Sequence, residues 1–309
     1  MVTFALVGSS PIDPVQMNAG QAAYGRMSEQ KREQLRAYWG SDVPIPERYA
    51  RWASDALQGD WGTSLRYNAP VTTVIAQRAG NTLLLMVVAW VLSGAGGLLL
   101  GILAGFRRGS ALDRIVRGYC FALSSTPAFW LGLVALMVFS VWLGWFPFGF
   151  SVPIGADAAS VSLAERLHHL VLPALTLSLT GVASVALHTR EKVVDAMGSD
   201  YARFALTRGE TRWQVLARHG LRNLLLPAIS LQFAQVSEVF GGSVLVEQVF
   251  SYPGLGQAAV TAGTGGDAPL LVGIALVSAA IVFAGNAAAD VLYRVVDPRL
   301  RGKGAGHGR

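Results

Sequence analysis

Residues 199–227, SDYARFALTRGETRWQVLARHGLRNLLLP, form a charged island between apolar runs on either side. Ser199 or Asp200 supplies a side-chain oxygen to cap a helix N-terminus. Tyr201, Phe204 and Ala205 then follow at i, i+3 and i+4, which places them on one helical face. Gly209 stands where a helix commonly ends in a left-handed residue. Thr211-Arg212-Trp213-Gln214 fits a capping box that restarts a helix. The stretch therefore predicts two short helices at an angle, and Pro227 predicts a kink inside the apolar helix that follows. A patterned island between membrane-length runs is suited to a soluble partner. The same pattern also fits an amphipathic loop held on lipid headgroups by Arg203, Arg208, Arg212, Arg218 and Arg222.

The flanks of the island decide the class of fold. Of the 309 residues, 52% are hydrophobic and only 14% are charged, against about 25% charged in soluble domains. The deficit falls in runs free of Asp, Glu, Lys and Arg at 79–106, 118–156, 167–189, 223–237 and 268–289. A spanning helix needs about 20 apolar residues, so 79–106, 167–189 and 268–289 are predicted spans. The 118–156 run holds one helix plus a loop, because Gly144, Pro147, Gly149 and Pro153 interrupt its second half. Residues 223–249, interrupted by Glu238 and Glu247, make a fifth span. A sixth is hinted at by MVTFALVGS at 1–9, too short to cross and without the basic flank and cleavage site of a signal peptide. It reads either as a lipid-facing stub or as the end of a first helix.

Charge gives the orientation. Of 25 Lys and Arg, four lie at 107–117, seven at 190–222 and five at 294–309, while 144–166 has only Arg166. Basic residues concentrated in alternate loops follow the positive-inside rule. This places 106–117, 190–222 and the tail in the cytoplasm, and 10–78, 144–166 and 250–267 outside. That distribution, rather than the net charge of +6, argues against nucleic acid as a partner. The single Cys120, in an apolar run, excludes an intrachain disulfide and reads as a packing residue. No G-x-x-x-x-G-K-S/T loop occurs, so ATP is not expected to bind this chain.

Several smaller features carry expectations. In the 10–78 segment, Ser28 caps a helix bearing Leu35, Tyr38 and Trp39 and stopping at Gly40. A second helix after Pro44 and Pro46 aligns Tyr49, Trp52, Ala53, Ala56 and Leu57. The two read as a helical cap on the outer face, or as helices lying on the membrane surface. Gly97, Gly101 and Gly105 make a four-residue stripe suited to close helix packing. Gln232, Gln235 and Glu238, polar within a span, either face a translocation path or hydrogen-bond between helices. Asn286 and Asp290, four apart near the cytoplasmic end of the last span, read as structural pairing, with a basic residue nearby, rather than as substrate contacts. His168 and His169, being adjacent, point to different helix faces, and no metal site is expected.

The island is similar to the cytoplasmic coupling loop of permease subunits in binding-protein-dependent ABC importers, in the dipeptide, oligopeptide and nickel branch. The likeness rests on Asp200-Tyr201, Arg203, Ala205, Gly209, Arg218-His219, Leu221-Arg222-Asn223 and Pro227. It extends to Gly59-Asp60 with Gly62 and Ser64-Leu65-Arg66, to Thr126-Pro127 with Phe129-Trp130-Leu131-Gly132, and to His169-Leu170-Val171-Leu172-Pro173-Ala174. Glu247, Phe250 and Pro253-Gly254-Leu255-Gly256 continue it, and Asp290, Tyr293 and Asp297-Pro298-Arg299 close it. Ser10-Pro11-Ile12-Asp13-Pro14 departs mildly from the family's P-G-D-P, and Glu238 stands where relatives more often carry a small or apolar residue.

The resemblance implies an all-α, polytopic type I importer permease with about six transmembrane helices, the first truncated to residues 1–9. An extracytoplasmic helical cap would span 10–78, the transmembrane domain 79–297 with its coupling loop at 190–222, and a cytoplasmic tail 298–309. It implies a bacterial or archaeal plasma-membrane location, a second homologous permease, two ATPase subunits carrying ATP and Mg, and an extracytoplasmic solute-binding protein. Coupling to the ATPases falls to Asp200, Tyr201, Arg203, Phe204, Ala205, Arg208, Gly209 and Glu210. Arg218, His219, Arg222, Asn223 and Pro227 would support the loop. Di- or oligopeptides are the expected substrate, with nickel or its chelate as the rival. A membrane-embedded enzyme lacks an H-E-x-x-H motif or a basic partner near Cys120, and a self-contained channel leaves the island unexplained.

Overall fold

The computed structural model describes residues 25–38, 43–153, 155 and 160–296. The expected first-helix remnant at 1–9, the stop at Trp39-Gly40 and the tail at 298–309 lie outside them. Among the described residues the strands are limited to a two-stranded antiparallel hairpin, β1 (Thr63–Ser64) and β2 (Ala69–Pro70), with Thr63 opposite Pro70 and Ser64 opposite Ala69. The other regular elements among the described residues are helical. Among the described residues three helices are long and apolar enough to cross a membrane, and up to five spans result if two bent helix pairs each count as one.

The chain forms two compact units, one gathering the described residues to Leu83 with Pro253–Ile281, the other Leu84–Tyr252 with the described residues from Val282 onward. The first unit opens with α1 (Glu29–Tyr38) and α2 (Ile45–Leu57). The Ser28 hydroxyl caps α1 by accepting from Lys31 N at 3.4 Å. On α2, Tyr49 and Trp52 pack against Ala268 and Val272, and Trp52 Nε1 donates to Trp61 O. Leu57, expected on the same face, is instead 91% exposed. It is the last helical residue, just before Gly59 turns the chain at φ +92°, and the aromatic pair a turn or two earlier makes the contact.

Helix α3 (Val71–Phe106) begins in this unit, α11 (Leu255–Thr264) lies within it, and the first half of α12 (Ala268–Val296) completes it. Val71, Val74, Ile75, Leu255, Ala258, Leu270 and Ile274 are its buried centre. A buried carboxylate fastens the hairpin: Asp267 accepts from Ser64 Oγ (2.6 Å), Arg66 N (3.1 Å) and, capping α12, Leu270 N (3.2 Å). Three donors onto one anion offset the cost of removing it from water.

In the second unit α4 (Ala111–Ser124) lies along α6 (Leu163–Gly198). The glycine stripe of α3 also meets α6. A Cβ on Gly97 would stand 2.6 Å from Val185 Cβ, one on Gly101 2.6 Å from Ala186 O, and one on Gly105 2.7 Å from Val193 Cβ. The backbones are closer than any side chain permits, as the spacing predicted. Cys120 is fully buried among Ala104, Val116, Leu123, Ala183 and Ala186.

The single helix expected in the 118–156 run is instead two pieces, α4 and α5 (Ala128–Ala135, continuing as a π-helix over Leu136–Trp142), turned by 106°. Pro127 explains the break, since it lacks an N–H and disfavours helix at Thr126. Pro173 is tolerated well inside α6, whose Ser162–Glu165 capping box starts it ten residues earlier. Pro227 is likewise accommodated inside a helix. Helix α9 (Leu221–Ala234), from Pro227 onward, meets α10 (Val236–Val249) at 47° around Gln235, whose ψ of 0° leaves the helical region. Asn286 makes a structural pairing with Ser237, which donates to its Oδ1 at 3.2 Å, while Asp290 is exposed.

Candidate functional site

The island starts where α6 ends. Ser199 Oγ donates to Ala196 O at 2.6 Å and accepts from Ala202 N at 3.4 Å, so one hydroxyl ends α6 and starts α7 (Asp200–Thr207). Asp200 lies in the first turn, where the helix dipole favours a carboxylate. Its exposed 4.0 Å pairing with Arg203 adds little.

Helix α7 has two distinct faces. Ala202 and Ala205 are buried against Val215, with Met197 and Leu206 beside them. Ala205 was expected on the outward face with Tyr201 and Phe204, but it shares the inward face of Ala202, three residues earlier, and is only 6% exposed. Small methyl groups allow α7 to lie close to α8 (Arg212–Val215). The outward face carries Tyr201, 40% exposed, and Phe204, 64% exposed. The Arg208 guanidinium stands 5.8 Å from the centre of the Phe204 ring.

The turn after α7 is a Schellman motif. Gly209 N donates to Leu206 O at 3.0 Å and Glu210 N to Ala205 O at 3.2 Å, with Gly209 at φ +91°. A Cβ at Gly209 would meet nothing within 4 Å. Glycine is required there by backbone conformation, with no contribution from crowding. Glu210 is held by His219, 3.3 Å away.

Thr211 and Gln214 form the expected capping box: Thr211 N donates to Gln214 Oε1 at 2.8 Å, and Gln214 N to Thr211 Oγ1 at 3.3 Å. The second helix is not short, however. It runs from α8 through a π turn at Leu216–Gly220 directly into α9. Leu216 and Leu224 are buried with Val193, and Trp213 sets its ring edge-on to Phe106, with centroids 5.9 Å apart. A continuous helical rod therefore joins the island to the bent α9–α10 pair. Arg218 is exposed and Pro227 half-buried on this rod; the side chains of Arg222 and Asn223 lie outside those described.

Gln232 and Gln235 are both buried and hydrogen-bonded between helices. Gln232 Nε2 donates to Trp90 O (2.6 Å) and Ser93 Oγ (2.8 Å), and Gln235 Nε2 donates to Ser184 Oγ (2.7 Å). Glu238, one turn further, is exposed. The paired histidines hold a loop: His168 Nε2 donates to Trp145 O and His169 Nδ1 to Gly149 O. Among the described residues no cluster of three or more His, Cys, Asp or Glu could hold a metal ion.

A family model described as the binding-protein-dependent transport system inner membrane component matches residues 97–302, more than half the chain. The chain belongs to this family. This permease is 36% identical to the oligopeptide transport system permease protein AppB of Bacillus subtilis, over 97% of this chain and 93% of the relative. It is 35% identical to a putative peptide permease protein of Brucella suis, again over 97% and 93%. Identity to the glutathione transport system permease protein GsiC of Escherichia coli is 34%, over 98% and 94%. The chain is thus a multi-pass inner-membrane component of a transport system, from a family of permease subunits and not of catalytic enzymes.

One feature of the permease escaped the sequence reading. Asp113, 1% exposed, accepts from Arg190 Nε (2.5 Å), Arg190 Nη2 (2.8 Å) and Gly109 N (2.9 Å). This bidentate pair ties the 107–110 turn to α6 beside the island. Its signal was present: Asp113 is the lone acid among Arg107, Arg108, Arg114 and Arg117, and Arg190 directly follows an uncharged run.

Proposed function

We propose that this permease forms half of a peptide-translocating path, paired with a second homologous permease, and that ATPase subunits drive it through the outward face of α7. One observation carries the coupling assignment. Tyr201 and Phe204 stand exposed on a helix whose opposite face is buried and whose two ends are capped. An aromatic pair held rigidly in that way suits a groove on a partner, where buried aromatics supply much of the binding energy. Asp200, Arg203, Arg208, Gly209 and Glu210 complete the contact region. Ala205 acts behind it, setting the distance from α7 to α8.

ATP and Mg would reside on two partner subunits and a solute-binding protein would deliver the substrate. Closure of the ATPase pair would displace α7, and the α8–α9 rod would carry that displacement to the bend at Gln235. This is a two-state element biased by a partner. Glu238 is the polar group of its trio left open to a passing solute. The peptide assignment draws support from the oligopeptide, peptide and glutathione names of these relatives. Reconstituted transporter with its binding protein tests it: di- and oligopeptides are expected to stimulate ATP hydrolysis. Stimulation by nickel or its chelates alone would overturn the peptide reading.

A further inference from the structure

We infer that a basic cleft beside the island is a binding site for an anionic phospholipid of the cytoplasmic leaflet. The cleft, of about 630 Å³, opens between the end of α3, the end of α6 and the island. Arg107, Arg108 and Arg212 line it, together with Ser110 at the N-terminus of α4. All three arginines are exposed, and none forms an ion pair among the described residues. No carboxylate lines the cleft. Asp113, beneath the turn that bears two of the arginines, is engaged by Arg190.

The turn bearing two of the arginines is preorganised. Gly109, at φ +79°, donates its N–H to Asp113, and Ser110 Oγ accepts from Asp113 N to cap α4. Fixed backbone beneath the guanidinium groups lowers the ordering cost of binding.

The remaining lining distinguishes a lipid from a free phosphate. Phe106, Val194, Met197 and Leu206 give the cleft an apolar side. Arg107 directly follows the uncharged run 79–106, which sets the arginines at the membrane–water boundary on the side assigned to the cytoplasm. A phosphodiester on the arginines with its glycerol and acyl stem on the apolar wall satisfies both halves, whereas inorganic phosphate satisfies one. Basic pockets between transmembrane helices on the cytoplasmic side recognise anionic headgroups by this chemistry. Because Leu206 closes α7 and Arg212 opens α8, an occupant would contact both island helices.

Native mass spectrometry of the full chain in detergent tests the site, comparing phosphatidylglycerol with phosphatidylcholine of identical acyl chains. The expected result is selective retention of phosphatidylglycerol. Each arginine near the surface contributes roughly fivefold, so the combined Arg107→Gln, Arg108→Gln, Arg212→Gln variant is expected to lose at least about tenfold in affinity after screening. An equal change of Arg114, Arg203 and Arg218 to Gln is expected to leave binding unchanged. Should the triple variant fail to fold, the single Arg108→Gln variant is expected to lose about threefold to fivefold, and the Lys-for-Arg triple to retain selectivity. Three results would overturn the inference: equal loss in the control triple, full displacement of the lipid by millimolar inorganic phosphate, or its displacement by the ATPase subunits on assembly. The readout is lipid mass and is independent of transport, so its outcome is separable from the test of the peptide path.

Discussion

Gly209 offers the sharpest test of how the island works, because its environment isolates one physical cause. The residue sits at φ +91° with open space where a side chain would project. Replacement therefore meets no steric wall, and its whole cost is conformational. A side chain in the left-handed region costs about 1–2 kcal/mol, which shifts the population of the intact turn by roughly 5- to 30-fold. Asparagine tolerates this region best, alanine less well, and a β-branched valine worst. Coupling efficiency, measured as substrate-stimulated ATP hydrolysis by the reconstituted transporter, is expected to fall in the order Gly, Asn, Ala, Val, with Gly209→Val abolishing transport. Membrane insertion and yield are expected to stay level throughout, since the turn lies outside the spans. Normal transport by Gly209→Val, or a loss that follows side-chain volume instead of backbone preference, would refute the reasoning.

Further outcomes follow from the same geometry. Asp113→Asn leaves Arg190 without its buried counter-charge and is expected to cost about 3–5 kcal/mol in unfolding; thermal denaturation in detergent checks this, and adding Arg190→Gln is expected to restore part of the loss. Gly101→Leu cannot be seated where even a Cβ meets Ala186 O at 2.6 Å, so monodisperse protein is expected to disappear in size-exclusion profiles, while Gly118→Ala, with nothing within 4 Å, remains normal. Tyr252 is 2% exposed, and its burial, helped by the charge of Glu247 and opposed by Arg166, pushes the phenol pKa up to about 12. The unfolded chain then loses this proton near pH 10 while the fold keeps it. Stability is expected to fall between about pH 10 and 12 by up to roughly 3 kcal/mol, and Tyr252→Phe is expected to flatten that part of the pH–stability curve.

Much of this was legible in the chain because the signals were local. Uncharged runs of membrane length, a serine before a helix, a glycine after one and a threonine three residues before a glutamine each act within a few residues. The glycine stripe was legible for a related reason: in lipid, small residues at constant spacing have few other uses. What could not be read depends on which face a neighbour covers. Tyr201, Phe204 and Ala205 share a stripe by spacing, yet only contact with Val215 turns Ala205 inward. Gln232 and Gln235 carried two equal readings, and their bonds to Trp90, Ser93 and Ser184 come from residues about 50 to 140 positions away. The bend at Gln235 was not legible either, since Ala234-Gln235-Val236 carries no proline or glycine to announce it.

The central claim is that α7 meets the ATPase through its aromatic face, and site-directed cross-linking tests it most directly. A cysteine at position 204 in the assembled transporter, with the buried Cys120 as an unreactive background, would be treated with a short bifunctional thiol reagent against ATPase subunits carrying surface cysteines. The account predicts a permease–ATPase adduct from Phe204→Cys and Tyr201→Cys, and none from Trp145→Cys in the loop assigned to the opposite side of the membrane. Adducts formed from position 145 but absent from 201 and 204 would contradict it.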